Sequence, residues 1–261
     1  MVEVRGCVAV VTGGASGIGA ALARRLAAEG AAAVVVADVD RVRAEAVTAA
    51  LPAPTRAVAL EVDAGDEAAV VRAVAWIEAE VGPIDLWCSN AGLATGPGLG
   101  DDLDWQRCWR LHVHAHVLAA RHVLPRLLER GHGHLMITAS AAGLLTELDS
   151  APYAVTKHGS VALAEWLSIQ YGDRGIGISC LCPQAVRTPM VADLPETSGT
   201  LAAGEIIEPD QVAEEVLAAW RDGRFLILPH PEVATYEQRR AGDRDRWLAA
   251  LRRTRARLRG E

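Results

Sequence analysis

Seven short apolar runs alternate with amphipathic segments along the 261 residues, and this rhythm constrains the fold more than any other feature. The strand-like runs are 7–12, 32–38, 56–63, 84–90, 134–140, 176–182 and 225–228. Helical periodicity fills 17–29, 40–51, 66–81, 103–130, 152–173 and 209–221. A βαβ rhythm of this kind predicts an α/β architecture: a doubly wound parallel sheet with helices on both faces. Ligands of such sheets sit at the carboxyl ends of the strands, near the point where strand order reverses. No Pro/Gly/Ser linker divides the chain, so one domain over 1–261 is expected.

The first strand ends in Thr12-Gly13-Gly14-Ala15-Ser16-Gly17-Ile18-Gly19, and a helix opens at once. Glycines permit a tight turn and close backbone approach to a pyrophosphate, which then meets the positive end of the helix. The spacing is Gly-x-x-x-Gly-x-Gly instead of the usual Gly-x-Gly-x-x-Gly, and its place at the first strand–helix junction marks it as a candidate dinucleotide turn. Asp38 closes the second strand, where a carboxylate accepts hydrogen bonds from an adenosine ribose and repels a 2′-phosphate. Neither Ala15 nor Val39 supplies a cation, so NAD(H) is expected over NADP. The competing reading is that Asp38 caps the next helix. Asp63 ends the third strand and is placed to accept from an adenine amino group, with a helix cap near Asp66 as its alternative. Asn90-Ala91-Gly92 closes the fourth strand; Asn90 is the single asparagine, and its amide can bridge strand ends.

The chemistry-bearing stretch is 140–157. Pro152 suits the first turn of a helix, and Tyr153 and Lys157, four residues apart, then share one face. A free phenol has a pKa of about 10, and a fixed ammonium nearby favours the phenolate. Lys157 is the only lysine beside 25 arginines, which implies that a compact ammonium is needed there. Ser140, at the end of an apolar run, is placed to donate to a carbonyl held beside the phenol.

In order and spacing, Thr12–Gly19, Asn90–Gly92, Ser140, Tyr153 and Lys157 resemble the short-chain dehydrogenase/reductase family, over roughly residues 5–230. The resemblance implies a Rossmann-type sheet of seven strands and a bound nicotinamide cofactor. It implies that Ser140 orients the substrate oxygen, that Tyr153 is the general acid/base, and that Lys157 lowers the tyrosine's pKa and holds the nicotinamide ribose. Cofactor contacts are thereby expected from Gly13, Ser16, Gly17, Ile18, Gly19, Asp38, Val39, Asp63, Asn90, Ala91 and Gly92, and from Tyr153, Lys157, Pro183, Val186 and Thr188. Two positions depart from the family pattern. The family asparagine of the long fourth helix, thirteen residues before a proline, is His112 when counted back from Pro125. The family Pro-Gly after the sixth strand is Pro183-Gln184. His112 is therefore a candidate member of the catalytic set, expected to be a tolerated replacement and not the principal acid/base. The family also implies a dimer or homotetramer built through the fourth and fifth helices.

The expected reaction is interconversion of a secondary alcohol and its ketone. The alternatives are an NADP-dependent carbonyl reductase and a non-catalytic dinucleotide-binding redox sensor. Residues 189–208 read as a substrate lid, with Met190, Val191, Leu194, Leu201, Ile206 and Ile207 joining Leu93, Leu144 and Leu145 in an apolar pocket. No cation lies within 189–208, which favours a neutral substrate. His112, His114 and His116 form a metal-like pattern, but 114 points away from the other two and no acid or cysteine completes a site, so no metal is expected. The basic extension over 233–261 carries nine arginines among acidic residues and reads as a solvated helix or subunit contact. A net charge of −7 argues against nucleic-acid or anionic-membrane partners. The longest apolar run, 31–37, is too short to span a bilayer, and Glu3 and Arg5 interrupt any secretory leader. Five cysteines, four of them in strand-like runs, fit a reduced cytoplasm.

Overall fold

The structure, a computed structural model, describes residues 2–192, 198–199 and 204–261. Seven strands form one sheet: β1 (Val8–Thr12), β2 (Ala33–Asp38), β3 (Arg56–Glu61), β4 (Leu86–Ser89), β5 (Gly133–Thr138), β6 (Ile176–Leu181) and β7 (Leu226–Ile227). Their order is β3-β2-β1-β4-β5-β6-β7, and every pairing is parallel. The chain starts at the centre, winds out to β3, then returns past β1 to β4 and winds the other way. Strand order therefore reverses between β1 and β4, which opens a crevice at their carboxyl ends.

Strand side chains alternate between two cores. Val8 and Val10 of β1 face one helical layer, and Ala9 and Val11 face the other, so the strand is apolar throughout. The first core packs α3 (Glu67–Glu80), α5 (Ala115–Arg130) and α7 (Ala151–Tyr171); the second packs α1 (Gly17–Ala28) and a later helix, Pro209–Asp222. Side-chain oxygens of Asp40, Asp66, Asp101 and Ser150 cap α2 (Arg41–Ala49), α3, α4 (Asp102–Cys108) and α7 by accepting from the amide three residues on. Asp40, and not Asp38, is thus the cap of α2, and Asp66, and not Asp63, the cap of α3.

The helix expected over 103–130 is not uniform. Between α4 and α5, residues Trp109–His114 form a π-helical turn, a widening often found at functional sites. It turns His112 fully inward. Sequence periodicity did not register this turn, because a single widened turn is too short to show against the average period of a long helix.

Short helices α6 (Ala142–Leu145) and α8 (Pro189–Ala192) follow β5 and β6, and α9 is the helix Pro209–Asp222. The chain ends in α10 (Glu232–Gly242) and α11 (Arg244–Arg259), with Asp243 capping α11. This pair folds back over α6: Trp247 Nε1 donates to Leu145 O at 3.4 Å, and the Tyr236 and Trp247 rings lie 6.4 Å apart. Arg252, Arg253 and Arg255 face solvent while the opposite side of α11 is half-buried. The extension is therefore more than a solvated helix. Trp247, Leu251 and Leu258 share one half-buried face of α11, and packing that face docks the helix. Among the described residues no helix is long and apolar enough to cross a membrane.

Candidate active site

A cavity of about 780 Å³ lies at the carboxyl ends of the strands, over the β1–β4 crevice. Its cofactor end is built by the glycine turn. Gly13 has φ +63°, and a Cβ there would lie 2.8 Å from Ala91 Cα; Gly17 has φ +50°, and its Cβ would meet Thr188 Cγ2 at 2.8 Å. The turn can thus run against the β4 loop on one side and the β6 loop on the other only with glycine at both places. Thr12 locks the arrangement. Its hydroxyl accepts from Asn90 N at 2.9 Å and Ala91 N at 3.2 Å, while Asn90 Nδ2 donates to Thr12 O at 3.1 Å. The asparagine bridges strand ends, and the threonine that completes the bridge was legible only as part of the glycine motif.

Asp38 is tied to the same turn: Oδ2 accepts from Ala15 N and Oδ1 from Asp40 N, both at 3.0 Å. Each oxygen keeps a lone pair for a further donor. The nearest basic side chains of α2 are engaged, Arg41 with Glu45 at 2.8 Å and Arg43 with Asp40 at 3.3 Å. Asp63 accepts from Gly65 N and pairs with Arg110 at 2.9 Å, a partner brought from the π-helical turn. Ser16, Ile18, Val39, Gly92, Pro183, Val186 and Thr188 line this end with them. Gly19 does not; it sits behind the turn in the first turn of α1.

Ser140, Tyr153 and Lys157 come together in the middle of the cavity. Ser140 follows β5, and its Oγ accepts from Ala142 N at 3.1 Å. Tyr153 lies one turn into α7, oriented by Ser150, which accepts from its amide at 3.3 Å. The Lys157 ammonium donates to Thr138 O at 3.0 Å and sits 5.7 Å from the centre of the Tyr153 ring. Burial pushes the Tyr153 phenol up to about 12, against a hydrogen bond from Ser140 that favours its ionised form. Burial also brings Lys157 down to about 8. The depressed phenol expected from the lysine is therefore not what the unliganded site shows. The reason is burial, which penalises the phenolate more than its hydrogen bond from Ser140 favours it.

His112 lies behind the tyrosine and does not line the cavity. Its ring meets the Tyr153 ring edge-on at 5.2 Å, with Nδ1 2.9 Å from Thr156 Oγ1 and Nε2 3.0 Å from Leu93 O. Burial brings its pKa down to about 2, so the imidazole is neutral. Its main-chain oxygen accepts from Ser160 at 2.6 Å. His116 is a buried packing residue, with Nδ1 2.7 Å from Ser89 Oγ.

The outer end of the cavity is only partly the one expected. Met190, Val191 and Leu145 line it, with Leu148 added. Leu93, Leu144, Ile206 and Ile207 do not: Leu144 is buried in the core, and Ile207 is held by main-chain bonds to Ala185 and Arg187. Leu194 and Leu201 fall outside the described residues. Gln184 also faces the cavity; its main-chain amide donates to His230 Nδ1 at 3.1 Å. Sequence reading missed Glu147, which accepts from Asp149 N at 2.8 Å and from Ser150 N, and whose pKa burial raises to about 6. It also missed Tyr236, Arg239, Trp247, Leu251, Thr254 and Arg257 of the last two helices, which form the cavity's roof. The 3–4 residue spacing of 247, 251, 254 and 257 marked one helical face, but nothing in the sequence said what that face covers.

A family model described as short chain dehydrogenase matches residues 7–199. The chain belongs to the short-chain dehydrogenase/reductase family. It is an oxidoreductase of that family with the family's seven-stranded parallel sheet. Among its relatives is 1-deoxy-11-beta-hydroxypentalenate dehydrogenase of Streptomyces exfoliatus, 38% identical over 86% of this chain and 83% of that one. Another is cis-4-hydroxycyclohexanecarboxylate dehydrogenase of Sinomonas cyclohexanicum, 34% identical over 85% and 92%. A short-chain dehydrogenase/reductase from Burkholderia phymatum, solved with NAD, superposes with a TM-score of 0.83 at 29% identity, covering 94% of this chain and 96% of that one. A short-chain dehydrogenase from Sphingobium yanoikuyae, solved with NADPH, gives 0.80 at 25% identity, covering 93% and 95%.

Proposed function

We propose that this protein interconverts a secondary alcohol on an apolar skeleton and its ketone, using NAD(H). The observation that carries the reading is the convergence of Ser140, Tyr153 and Lys157 in one cavity with the glycine turn. The cofactor end fits a dinucleotide: Gly13 and Gly17 leave clefts that a Cβ would fill, and the N-terminus of α1 points its free amides there. Asp38 would hold the adenosine ribose, Asp63 the adenine side, and Lys157 with Tyr153 the nicotinamide ribose. Bound there, NAD supplies a hydride acceptor for the carbinol carbon and NADH returns one. The pinned carboxylate of Asp38 and the paired state of Arg41 and Arg43 support NAD over NADP.

Ser140 holds the substrate oxygen, and Tyr153 takes its proton in oxidation or donates one in reduction. At pH 7 the pair is phenol beside ammonium. Its first proton is lost near pH 8, and the phenolate–ammonium form belongs to that singly deprotonated state. Lys157 thus sets when the pair becomes a base. His112 is read as outside this exchange, because both ring nitrogens are engaged, by Thr156 and Leu93, and its ring packs against Tyr153. The relatives named above act on alcohols of alicyclic skeletons, which agrees with the apolar outer cavity. Exposed Trp109, Val155, Trp166 and Ile169 on the π-helical turn and α7 support assembly into a homo-oligomer.

The test is a panel of secondary alcohols offered with NAD and, separately, with NADP, read as absorbance of the reduced cofactor. Turnover with NAD, and at least tenfold less with NADP, is expected. Equal use of both cofactors removes the NAD assignment, and silence with both removes the reaction.

A further inference from the structure

We propose that the substrate carries a carboxylate, held by Arg239 and Arg257 at the roof of the cavity; this deepens, and rests on, the reaction proposed above. The charged groups that face the cavity set the argument. At the cofactor end, Asp63 is paired with Arg110, and Asp38 is held by two main-chain amides. In the middle, Glu147 accepts from the amides of Asp149 and Ser150, and Asp149 accepts from Ser198 Oγ at 3.0 Å and Gly199 N at 2.8 Å. Every acid facing the cavity thus has donors of its own.

The two roof arginines differ. Both line the cavity, and neither forms an ion pair with an acid among the described residues. Arg240, beside Arg239 in sequence, turns away to His158 at 3.2 Å, while Arg239 lies over the Tyr236 ring at 6.0 Å. On α11, Thr254 and Arg257 are one turn apart and both line the cavity, above Trp247 and Leu251. The cavity lining therefore includes two exposed guanidinium groups and a hydroxyl beside Trp247 and Leu251, together with the Tyr153 phenol. That lining suits an amphipathic guest with its alcohol at the phenol and its anion at the guanidinium groups. Guanidinium binds carboxylate with two parallel hydrogen bonds, which adds orientation to attraction. The expectation of a neutral substrate counted cations only within 189–208, and these two enter from a helix pair more than thirty residues further on.

The test uses matched pairs: 3- and 4-hydroxycyclohexanecarboxylate, a hydroxydecalincarboxylate, and the methyl ester of each. The wild type is expected to prefer the acids by at least tenfold in kcat/KM, with the difference mainly in KM. The doubly substituted Arg239→Gln, Arg257→Gln protein should lose that preference, and the Arg239→Lys, Arg257→Lys protein should recover part of it. Raising salt from about 0.05 to 0.5 M should shrink the wild-type preference, since screening weakens partly exposed charges. Esters used as well as acids, or a preference that survives the glutamine pair, overturns the proposal and leaves the reaction standing. A second arm reads the subsite without turnover, by titrating cyclohexanecarboxylate and its methyl ester into protein saturated with NADH. Arginine-dependent binding of the acid on a silent panel keeps the subsite and removes the reaction. No difference between acid and ester in binding removes the subsite.

Discussion

At the scale of residues, the site turns on how burial treats two groups that share a proton. Tyr153 pushed up to about 12 and Lys157 brought down to about 8 form a pair that is phenol and ammonium at neutral pH. Oxidation needs that pair to lose one proton, so kcat/KM for alcohol oxidation should climb with pH and level off above about 8. A profile flat from pH 6 to 9 would place the base elsewhere. Tyr153→Phe should lower kcat by about 10²–10⁴-fold while NADH affinity stays within threefold, measured by turnover and by fluorescence titration. A near-normal kcat in that variant would mean the proton is handled by another group. His112→Asn should keep kcat/KM within about tenfold, because the imidazole is already neutral and acts by packing against Tyr153. If His112→Asn instead fell a hundredfold with fold and cofactor affinity intact, the ring would have to be a proton carrier.

At the scale of elements, the proposed reaction and anion subsite rest on α7 and the terminal helix pair, which both line the cavity. The start of α7 is fixed by a short relay: Glu147 accepts from Ser150 N, and Ser150 accepts from Tyr153 N. A capping hydroxyl is worth about 0.5–2 kcal/mol, and here it also fixes the first turn of α7 that carries Tyr153. The pair α10–α11 is anchored through Trp247, half-buried, stacked near Tyr236 and bonded to Leu145 O. Trp247→Ala should destabilise the protein by about 1–3 kcal/mol, less than a fully buried aromatic. It should also raise the alcohol KM several-fold without a matching change in NADH dissociation, since Trp247 lies on the roof and not at the glycine turn. Denaturation and steady-state kinetics on one preparation check both parts. A Trp247→Ala protein with unchanged KM would detach the roof from substrate binding.

At the scale of the whole molecule, the cofactor end joins both halves of the sheet, with Asp38 and Asp63 from the β1–β3 half and Lys157 and Thr188 from the other. A ligand gripping both halves stabilises the native state by mass action, about 2.7 kcal/mol at a hundred times its dissociation constant. NADH should therefore raise Tm by several degrees, and NADPH at equal concentration by clearly less. Asp38→Ala should bring the two shifts together, by losing a ribose acceptor and a repulsive charge. Equal shifts in the unsubstituted protein would count against Asp38 as the selector.

The sheet, its seven strands and the ends of β1, β2 and β4 were legible in the sequence because they rest on local rules. Apolar runs buried on both faces, a glycine turn before a helix, and a tyrosine and lysine four residues apart keep their meaning wherever the chain goes. His112 was found by counting to Pro125, yet the π-helical turn it sits in and the burial that lowers its pKa are not encoded by that spacing. The direction of the Tyr153 shift was misjudged for the same reason: a charge partner four residues away is local, whereas desolvation is the sum of everything packed around it. The roof is the clearest case. Trp247 and Arg257 lie about a hundred residues beyond Leu145 and Tyr153, and only the fold-back of α10 and α11 brings them over the cavity. Sequence determines local geometry and the chemistry it can carry; tertiary structure decides burial and long-range company, because both depend on residues that have no fixed spacing along the chain.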